Sequence, residues 1–529
     1  MSSRRRAAVV AAAFVLPLLA GGFMLQSAAP RGDGTRLFSQ VLALTASRFV
    51  DSVDAGALYE KAARGLVREL NDPYSVLYTP KELRDFTANT GGRYAGIGAL
   101  IEEQENAVLI SRVYPNTPAE EGGVREGDRI IQIDTASTRG WHMDRVSETL
   151  KGTPGTKVKV TFQRPGLAEP IRVTFTRAVI HIPAVPYAIV LDGGVGYIPL
   201  QQFNETSAEE TEAAVRRLQK AGARSIVLDL RGNGGGILDQ ALVVSNLFLP
   251  QGAEITSVRE RGGPAAVHVA RDEPIAPSMP LVVLSDGGTA SASEIVAGAL
   301  QDHDRAVLVG TTSFGKGLVQ SLYPLDGGYA LKMTTGKYYL PSGRIIHKDR
   351  QLVNGRLVEV LPDSLESDSV KKSRPTFRSD GGRVVYGGGG ITPDLIVPTD
   401  TLRSVEQRLV RALSPKSQQL YLSLYRLAFD LKSQVAAPGF AVRPEWREDL
   451  YRRLTTSGVE VDRALFDSAS TFVDNLIADR VSRFAFGDSA AMRRRVPQDA
   501  QLTRALELLR QGRTQRELFA AAAREGRQG

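Results

Sequence analysis

The sequence predicts an α/β protein with a core of alternating strands and helices, helical segments at both ends, and a strand-rich module inserted before the core. Three observations support this prediction. Apolar runs alternate with helical patterns over residues 185–400. Alternation of apolar and polar residues dominates residues 91–178, and leucines recur at helical spacing in residues 36–90 and 401–529. A chain of 529 residues has room for about three or four such domains.

The composition excludes several kinds of functional site. With 42% hydrophobic and 23% charged residues, the chain can bury ordinary cores. It has no cysteine, which excludes disulfides, thiolate nucleophiles and cysteine-ligated metals. Its five histidines lack the H-E-x-x-H spacing of zinc hydrolases. We therefore predict neither a metal nor another cofactor.

The net charge of +8 is concentrated at the two ends of the chain. Residues 401–529 contain 22 lysines and arginines against 15 acidic residues, which leaves only +1 for the first 400 residues. Arg4, Arg5, Arg6 and Arg31 contribute four positive charges, so residues 32–400 sum to about −3. Because the middle of the chain is not strongly cationic, we predict no nucleic-acid binding.

Residues 1–31 have the layout of a targeting segment. Three arginines precede an apolar run from Ala7 to Leu25, as in a secretory signal peptide or an uncleaved membrane anchor. The run is close to the minimum length that spans a bilayer, so cleavage and retention both remain open. Either outcome places the rest of the chain outside the cytosol, in the periplasm or cell envelope, with membrane association through the N-terminus if the segment is retained.

The helical segment 36–90 rests on the spacing of Leu58, Leu66 and Leu70, and Asp72-Pro73 interrupts it. A polar stretch, residues 353–386, reads as a loop.

Residues 91–178 contain three motifs that follow one another along the chain. Gly96-Ile97-Gly98 opens a strand, residues 114–119 form a turn, and Gly127-Asp128-Arg129-Ile130 leads into the next strand. A glycine-rich turn lets consecutive N–H groups converge on a carboxylate while a peptide adds as an extra strand. The three motifs together resemble a PDZ domain. The resemblance implies that Gly96, Ile97 and Gly98 bind the free C-termini of polypeptides with apolar ends.

Ser291 lies in the segment Gly288–Glu294 and allows two interpretations. Ser291 with Glu294 is a capping box, which serves only to begin a helix. A serine at a helix N-terminus is also well placed for nucleophilic attack. In that case its own N–H and that of Ala292 point outward at the positive end of the helix dipole.

Lys316 also allows two interpretations. Gly310 and Gly315-Lys316 nearly form a phosphate-binding P-loop, but Gly317 stands where a magnesium-binding serine or threonine is required. Nucleotide binding therefore remains an alternative, although the residue that would bind magnesium is missing. The other interpretation is a general base, because a desolvated lysine has lower proton affinity and can deprotonate a serine.

The glycine run 232–236 follows a strand and is by itself a turn. Opposite a serine, its N–H groups become half of an oxyanion hole. Together, Ser291, Lys316 and this run supply a nucleophile, a base and oxyanion donors, which suffice for acyl transfer without histidine or cysteine.

These motifs, in this order over residues 36–400, resemble the C-terminal processing peptidases, which are tail-specific Ser/Lys proteases with an embedded PDZ domain. The matching segments are Val50–Asp54, Asp72-Pro73, the PDZ turns, Gly196–Ile198, Asp229–Gly236, Ala290–Ile295, Phe314–Gly317 and Pro393-Asp394. The resemblance implies a crotonase-like α/β core at residues 185–400.

Position by position, the resemblance makes Ser291 the nucleophile and Lys316 the general base, with Gln320 orienting the lysine. It assigns the oxyanion donors to Ala292 with either Gly235 or Gly236. The implied function is a serine endopeptidase that processes or degrades extracytoplasmic proteins from their C-terminal ends. A catalytically inactive scaffold that binds protein tails is the alternative. The resemblance does not extend to the helical region 401–529, and oligomerisation, covering of the PDZ groove and docking of an adaptor all remain open for it.

Overall fold

A computed structural model describes residues 30–104, 107–164, 167–353, 356–359, 374–399 and 402–525. Apart from its last two residues, the predicted targeting segment 1–31 lies outside this part of the chain. The chain divides into two compact units. The first contains the described residues up to Pro80 together with 320–334 and the described part of 351–358, and the second contains the rest.

The N-terminal region is mainly helical, as predicted, but it contains one strand. Its elements are α1 (Pro30–Arg48), α2 (Ala55–Arg68), β1 (Val76–Tyr78) and α3 (Pro80–Gly91). The Asp54 carboxylate begins α2 by accepting a hydrogen bond from the Ala57 N–H at 2.7 Å. The prediction of a wholly helical segment is wrong at β1. This strand is stabilised by antiparallel pairing with residues 330–332, a partner far away in the sequence.

Residues 93–181 form a module of short strands and two helices. Its elements are β2 (Arg93–Gly96), β3 (Ala99–Gln104), β4 (Ala107–Val113), α4 (Pro118–Glu121), β5 (Arg129–Ile133), β6 (Ala136–Ser137), α5 (Met143–Leu150), β7 (Lys157–Gln163), β8 (Ile171–Thr176) and β9 (Ala178–His181). The sheet has the order β3-β4-β5-β7-β8, and β2 pairs with β9. Every second side chain of β7 (Val158, Val160 and Phe162) is buried, in agreement with the alternation in the sequence.

The following region alternates strands and helices. Its elements are β10 (Ile189–Leu191), β11 (Val195–Pro199), α6 (Ser207–Lys220), β12 (Ser225–Asp229), α7 (Leu238–Asn246), β13 (Glu254–Glu260), β14 (Ala266–Val269), β15 (Leu281–Ser285), α8 (Ala292–Asp302), β16 (Val307–Gly310), β17 (Leu318–Pro324), β18 (Ala330–Tyr339), β19 (Arg350–Val353), β20 (Arg356–Glu359), β21 (Thr376–Arg378), β22 (Val384–Tyr386) and β23 (Leu395–Ile396). The predicted loop at 353–386 is therefore wrong in part, because it contains β20, β21 and β22.

The central sheet has the order β10-β11-β12-β15-β16-β23, and its strands are parallel except for β10. Its strands are apolar on both faces, as expected for a sheet covered on both sides. Leu228 and Val283 point into the core formed with α6, α7 and α8. Val227, Val282 and Leu284 point to the opposite face.

The C-terminal region is helical, as predicted. Its elements are α9 (Ser404–Leu413), α10 (Ser417–Leu431), α11 (Pro444–Thr456), α12 (Arg463–Ser468), α13 (Ser470–Phe486), α14 (Asp488–Arg495), α15 (Ala500–Gln511) and α16 (Gln515–Glu525). Helices α9–α13 share a core of their own. Helices α14–α16 instead cover the second face of the central sheet, so the last part of this region completes a three-layer α/β/α core. No helix within the described ranges is both long and apolar enough to cross a bilayer.

Candidate active site

Three loops meet at the carboxyl ends of neighbouring parallel strands, the edge at which open α/β sheets bind ligands. The glycine run 232–236 follows β12, Ser291 follows β15 and begins α8, and Lys316 follows β16. Asn233 joins the first two loops, because its carbonyl accepts hydrogen bonds from the Ala290 N–H and the Ser293 hydroxyl, both at 2.9 Å. The structure thus brings the predicted serine loop and glycine loop together.

Ser291 has an unusual backbone conformation, with φ 57° and ψ −116°. A positive φ is unfavourable for a residue with a side chain and persists only where the surroundings impose it. The side chain is half-buried at the N-terminus of α8. This geometry resembles the sharp strand-to-helix turns on which serine nucleophiles are presented.

Glu294 connects the serine loop to the lysine loop. Its side chain is fully buried and accepts four hydrogen bonds. Oε2 accepts the N–H groups of Ser291 and Lys316, each at 2.8 Å. Oε1 accepts the Ser313 hydroxyl and the N–H of Gly315. One carboxylate oxygen therefore fixes the backbones of Ser291 and Lys316 side by side.

Tyr338 adds a second link between these two backbones. Its buried hydroxyl donates a hydrogen bond to the Lys316 carbonyl at 2.6 Å and lies 3.3 Å from the Ser291 carbonyl. Burial, together with the Glu294 charge, raises the pKa of Tyr338 well above its usual value, so the phenol stays a donor. Burial also raises the pKa of the Glu294 carboxyl, and the four hydrogen bonds it accepts oppose that rise.

The expectation that the Ser291 N–H points outward is wrong, because this group donates to Glu294. The N–H of Ala292, in the first turn of α8, has no acceptor among the described residues. Of the two candidate glycines, Gly235 donates its N–H to the Asn233 side chain at 2.9 Å. The N–H of Gly236 has no acceptor within the described part of the chain.

Both glycines occupy positions that exclude a side chain. A Cβ on Gly235 would lie 2.8 Å from the Ser291 Cβ and 2.9 Å from the Ala292 nitrogen. A Cβ on Gly236 would lie 2.1 Å from the Phe203 carbonyl oxygen. The φ values of 92° and 148° also favour glycine. The glycine run can therefore approach the serine more closely than any other residues could.

Gln320 lies in β17 and belongs to the first unit, whereas Lys316 belongs to the second. The Gln320 side-chain amide donates to the Thr334 hydroxyl at 3.4 Å. Its assignment to orienting the lysine stays a prediction.

The Gly96-Ile97-Gly98 loop lies between β2 and β3. The Ile97 carbonyl accepts the Ala119 N–H at 2.7 Å, and the Gly98 carbonyl accepts the Tyr114 N–H at 3.0 Å, so both carbonyls are held away from the opening of the loop. The N–H groups of Ile97 and Gly98 have no acceptor in the described ranges. Helix α5 flanks β3, because Glu103 accepts the Met143 N–H at 2.9 Å.

Comparisons with known proteins identify two kinds of domain in the chain. A family model for peptidase family S41 matches residues 194–363, and a PDZ domain model matches residues 109–164. The carboxy-terminal processing protease CtpA of Bacillus subtilis strain 168 is 33% identical over 380 residues, which cover 70% of this chain and 80% of that protein. The chain belongs to the family of carboxy-terminal processing proteases. A carboxy-terminal-processing protease of Bartonella bacilliformis is 36% identical over 314 residues, which cover 58% of this chain and 71% of that protein.

Among solved structures, the photosystem II D1 C-terminal processing protease is 28% identical and has a TM-score of 0.35, covering 62% of this chain and 91% of that one. The family models and the curated relatives show that the chain is a serine protease of the carboxy-terminal processing family with a PDZ domain, and the inactive scaffold is not favoured.

The lysine loop of this carboxy-terminal processing protease differs from a P-loop in two respects. The N–H groups of Gly315 and Lys316, which a P-loop would turn toward phosphate, donate to Glu294. The loop also leads into the strand β17, whereas a P-loop opens a helix. The structure therefore argues against the nucleotide alternative.

Two parts of the protease site were not anticipated from its sequence. Glu294 was predicted only as a helix cap, although it also binds the lysine loop. Tyr338 was not predicted at all, because its hydroxyl reaches the site from a strand 47 residues after Ser291. The sequence signal for Glu294 is the segment around it, Thr289-Ala290-Ser291-Ala292-Ser293-Glu294. No local pattern indicates Tyr338.

Replacing Glu294 with glutamine is expected to lower kcat by about a hundredfold, because a displacement of about 1 Å at a reacting group can cost that much. The amide nitrogen of glutamine would face two donors that now bind a carboxylate oxygen. Steady-state kinetics on an unfolded protein substrate measure the effect. Ser313→Ala, which removes one donor and leaves the other three, is the matched control and should cost much less. Equal losses in the two variants would contradict a positioning role for the carboxylate.

Proposed function

We propose that Ser291 and Lys316 form a catalytic Ser/Lys dyad that hydrolyses peptide bonds. The observation that carries this proposal is the shared contact with Glu294, whose Oε2 lies 2.8 Å from both the Ser291 and the Lys316 nitrogens. A nucleophile needs a base that is held beside it, and this carboxylate holds the two backbones together. The strained φ of Ser291 supports the same assignment.

In the proposed reaction, the Ser291 Oγ attacks the peptide carbonyl carbon while Lys316 accepts the hydroxyl proton. The tetrahedral intermediate collapses as Lys316 returns this proton to the leaving amine, and an ester on Ser291 remains. A water molecule then attacks the ester carbonyl and gives a proton to Lys316. This second tetrahedral intermediate collapses as Lys316 gives the proton to the Ser291 Oγ, which breaks the ester bond, releases the acid and restores the serine hydroxyl. The sequence of steps needs no group beyond those of the chain and water.

Ala292 and Gly236 are the proposed oxyanion donors. Both have N–H groups with no acceptor in the described part of the chain, whereas the N–H of Gly235 is engaged by Asn233. Because Gly235 has no side chain, the glycine loop can lie close to Ser291. The Asn233 side chain fixes this loop by accepting the Gly235 N–H. Donors aimed at the developing negative charge provide the largest single contribution in many acyl transfers.

Three finer assignments follow from the family resemblance and remain proposals. The core at 185–400 is crotonase-like, with the PDZ domain at 91–178 inserted before it. Gln320 orients Lys316 for proton transfer. The Gly96–Gly98 loop binds the terminal carboxylate of the substrate, and the unengaged N–H groups of Ile97 and Gly98 support this role.

The proposed substrates are extracytoplasmic polypeptides with free, apolar C-termini. This location rests on the arginines and apolar run of residues 1–31, read as a signal peptide or a membrane anchor. The helical region 401–529 is a candidate for contacts with a second copy or an adaptor, or for covering the PDZ groove.

Covalent trapping tests the proposed nucleophile. A fluorophosphonate probe is expected to add once to the protease, and peptide mass spectrometry should locate the adduct on Ser291. Digestion of an unfolded protein with a free apolar C-terminus should also be faster than digestion of the same protein with an amidated C-terminus. An adduct on another residue would contradict the nucleophile. Equal rates on the two substrates would contradict C-terminal selection by the PDZ domain.

A further inference from the structure

Strand β14 and helix α7 border a groove on the surface of the second unit. The groove is a cavity of about 260 Å³ lined by Asp239, Leu242, Val243 and Asn246 of α7 and by residues 267–269, 271 and 272. Val243, Val267 and Val269 are 48%, 56% and 43% exposed, which is high for valine. The three exposed valines give this groove an apolar wall on its β14 and α7 sides.

Strand β14 also presents unpaired backbone along this groove. It pairs antiparallel with β13 on one side and has no neighbouring strand on the other among the described residues. The N–H and C=O of Ala270 both bond to the β13 side, to Ala253 and Gly252 respectively. Because successive residues of a strand alternate in direction, the N–H and C=O of Val269 and Val267 point away from β13. These groups can accept a further strand.

The start of β14 lies near the proposed catalytic site. Across the sheet, Ala266 pairs with Val258 and Val258 pairs with Tyr338, whose hydroxyl contacts the Ser291 and Lys316 carbonyls. The start of β14 is thus two strand spacings, about 10 Å, from Tyr338.

The direction of the groove follows from its far end. There the Asn246 side chain accepts the N–H groups of Arg271 and Asp272, so β14 runs away from the catalytic site along α7. Helix α7 itself starts just after Gly236. A chain lying antiparallel to β14 would therefore run toward Ser291 from its N-terminal side.

We propose that an extended segment of the substrate, upstream of the scissile bond, binds in this groove as an additional antiparallel strand on β14. This inference rests on the proposed peptidase function. The substrate segment would pair its backbone with Val267 and Val269. It would place alternate side chains against Val243 and the two β14 valines, which favours substrates with apolar residues at every second position. The groove thus gives the protease a second contact with its substrate, independent of the C-terminal carboxylate.

Equilibrium binding tests this surface without turnover. The Ser291→Ala protein is titrated with a fluorescent peptide of alternating valine and lysine, amidated at its C-terminus so that the carboxylate loop does not contribute. Val269→Pro removes one outward N–H and keeps the pairing with β13, since proline is tolerated at such edge positions. It should weaken binding about threefold to tenfold relative to Val269→Ala, and Val267→Pro combined with Val269→Pro about tenfold or more.

Val269→Ala is the matched control, because it shortens the side chain and keeps the N–H. Its melting temperature and that of Val269→Pro should agree, which shows that the edge strand remains folded. Equal affinities of the proline and alanine variants would overturn the inference even if the wild-type protease digests unfolded protein. Weaker binding by the proline variant, together with a wild-type protein that fails to digest unfolded protein, would support the groove and contradict the peptidase function.

Discussion

Replacing Ser291 with alanine is expected to lower kcat by about four orders of magnitude on an unfolded protein substrate. The same loss is expected for Lys316→Ala, because a nucleophile and its base act as a unit and either deletion removes the covalent route. The combined variant should therefore be no worse than either single one. Rates measured at equal enzyme concentration, with melting temperatures to confirm folding, check the result.

Lys316→Arg distinguishes a base from a positive charge. The guanidinium group keeps the charge but stays protonated near neutral pH and cannot accept the serine proton. We therefore expect Lys316→Arg to be as inactive as Lys316→Ala. Substantial activity in the arginine variant, or digestion by Ser291→Ala at the wild-type rate, would contradict the dyad.

The predicted serine and lysine could be found from sequence because each lies in a short segment with its own chemical pattern. Ser291 has a helix-capping glutamate three residues later, and Lys316 is framed by glycines after a buried strand. In the sequence, the capping box and the nucleophile are competing interpretations of Ser291. In the structure, Glu294 binds both the Ser291 N–H, as a cap, and the Lys316 N–H, so the capping role does not exclude the proposed nucleophile.

The same contact explains why the oxyanion prediction was wrong in one detail. The orientation of the Ser291 N–H depends on where the buried Glu294 side chain turns, and helix propensity does not determine this. Strand β1 was missed for a related reason. Three residues, Val76–Tyr78, carry too little local signal, and their pairing partner lies some 250 residues away at 330–332.

The C-terminal helices show the clearest limit of the sequence analysis. Leucine spacing predicted helices at 502–509 correctly, because a repeated apolar face is a local property. It could not reveal which surface this face covers. In the structure, Leu502 and Leu506 share a core with Val282 and Leu284 of the central sheet. These two sheet residues belong to the catalytic core predicted from sequence, whereas the two leucines were assigned to a separate helical region.

Removal of residues 500–529 is therefore expected to abolish folding of the catalytic core as well as activity. Parallel sheets require cover on both faces, and this deletion would expose the apolar side chains that now contact α15 and α16. The truncated protease should be insoluble, or unfolded by circular dichroism. A soluble truncated protein with wild-type cleavage would show that these helices are dispensable.

Single substitutions give the same test in a protein that still folds. Leu502→Ala deletes a fully buried side chain and should lower the free energy of unfolding by about 2–5 kcal/mol in denaturant titrations. Arg510→Ala, at an exposed position in the same helix, is the control and should change it by about 0.5 kcal/mol or less. Equal stabilities for the two variants would contradict the packing of α15 on the sheet.

Asp499, just before α15, contacts the start of the glycine loop. Arg231, two residues after β12, binds the Asp499 carboxylate through both terminal nitrogens at 2.8 and 2.7 Å. Burial alone would lower the pKa of Arg231, but the carboxylates of Asp229 and Asp499 raise it overall, so it stays charged. Asp499→Ala should therefore affect catalysis more than folding, because the loop that contains Gly235 and Gly236 begins at Arg231. Expressed as free energies, the loss in kcat should exceed the loss in the free energy of unfolding. A variant that loses stability and keeps its kcat would instead confine the contact to a structural role.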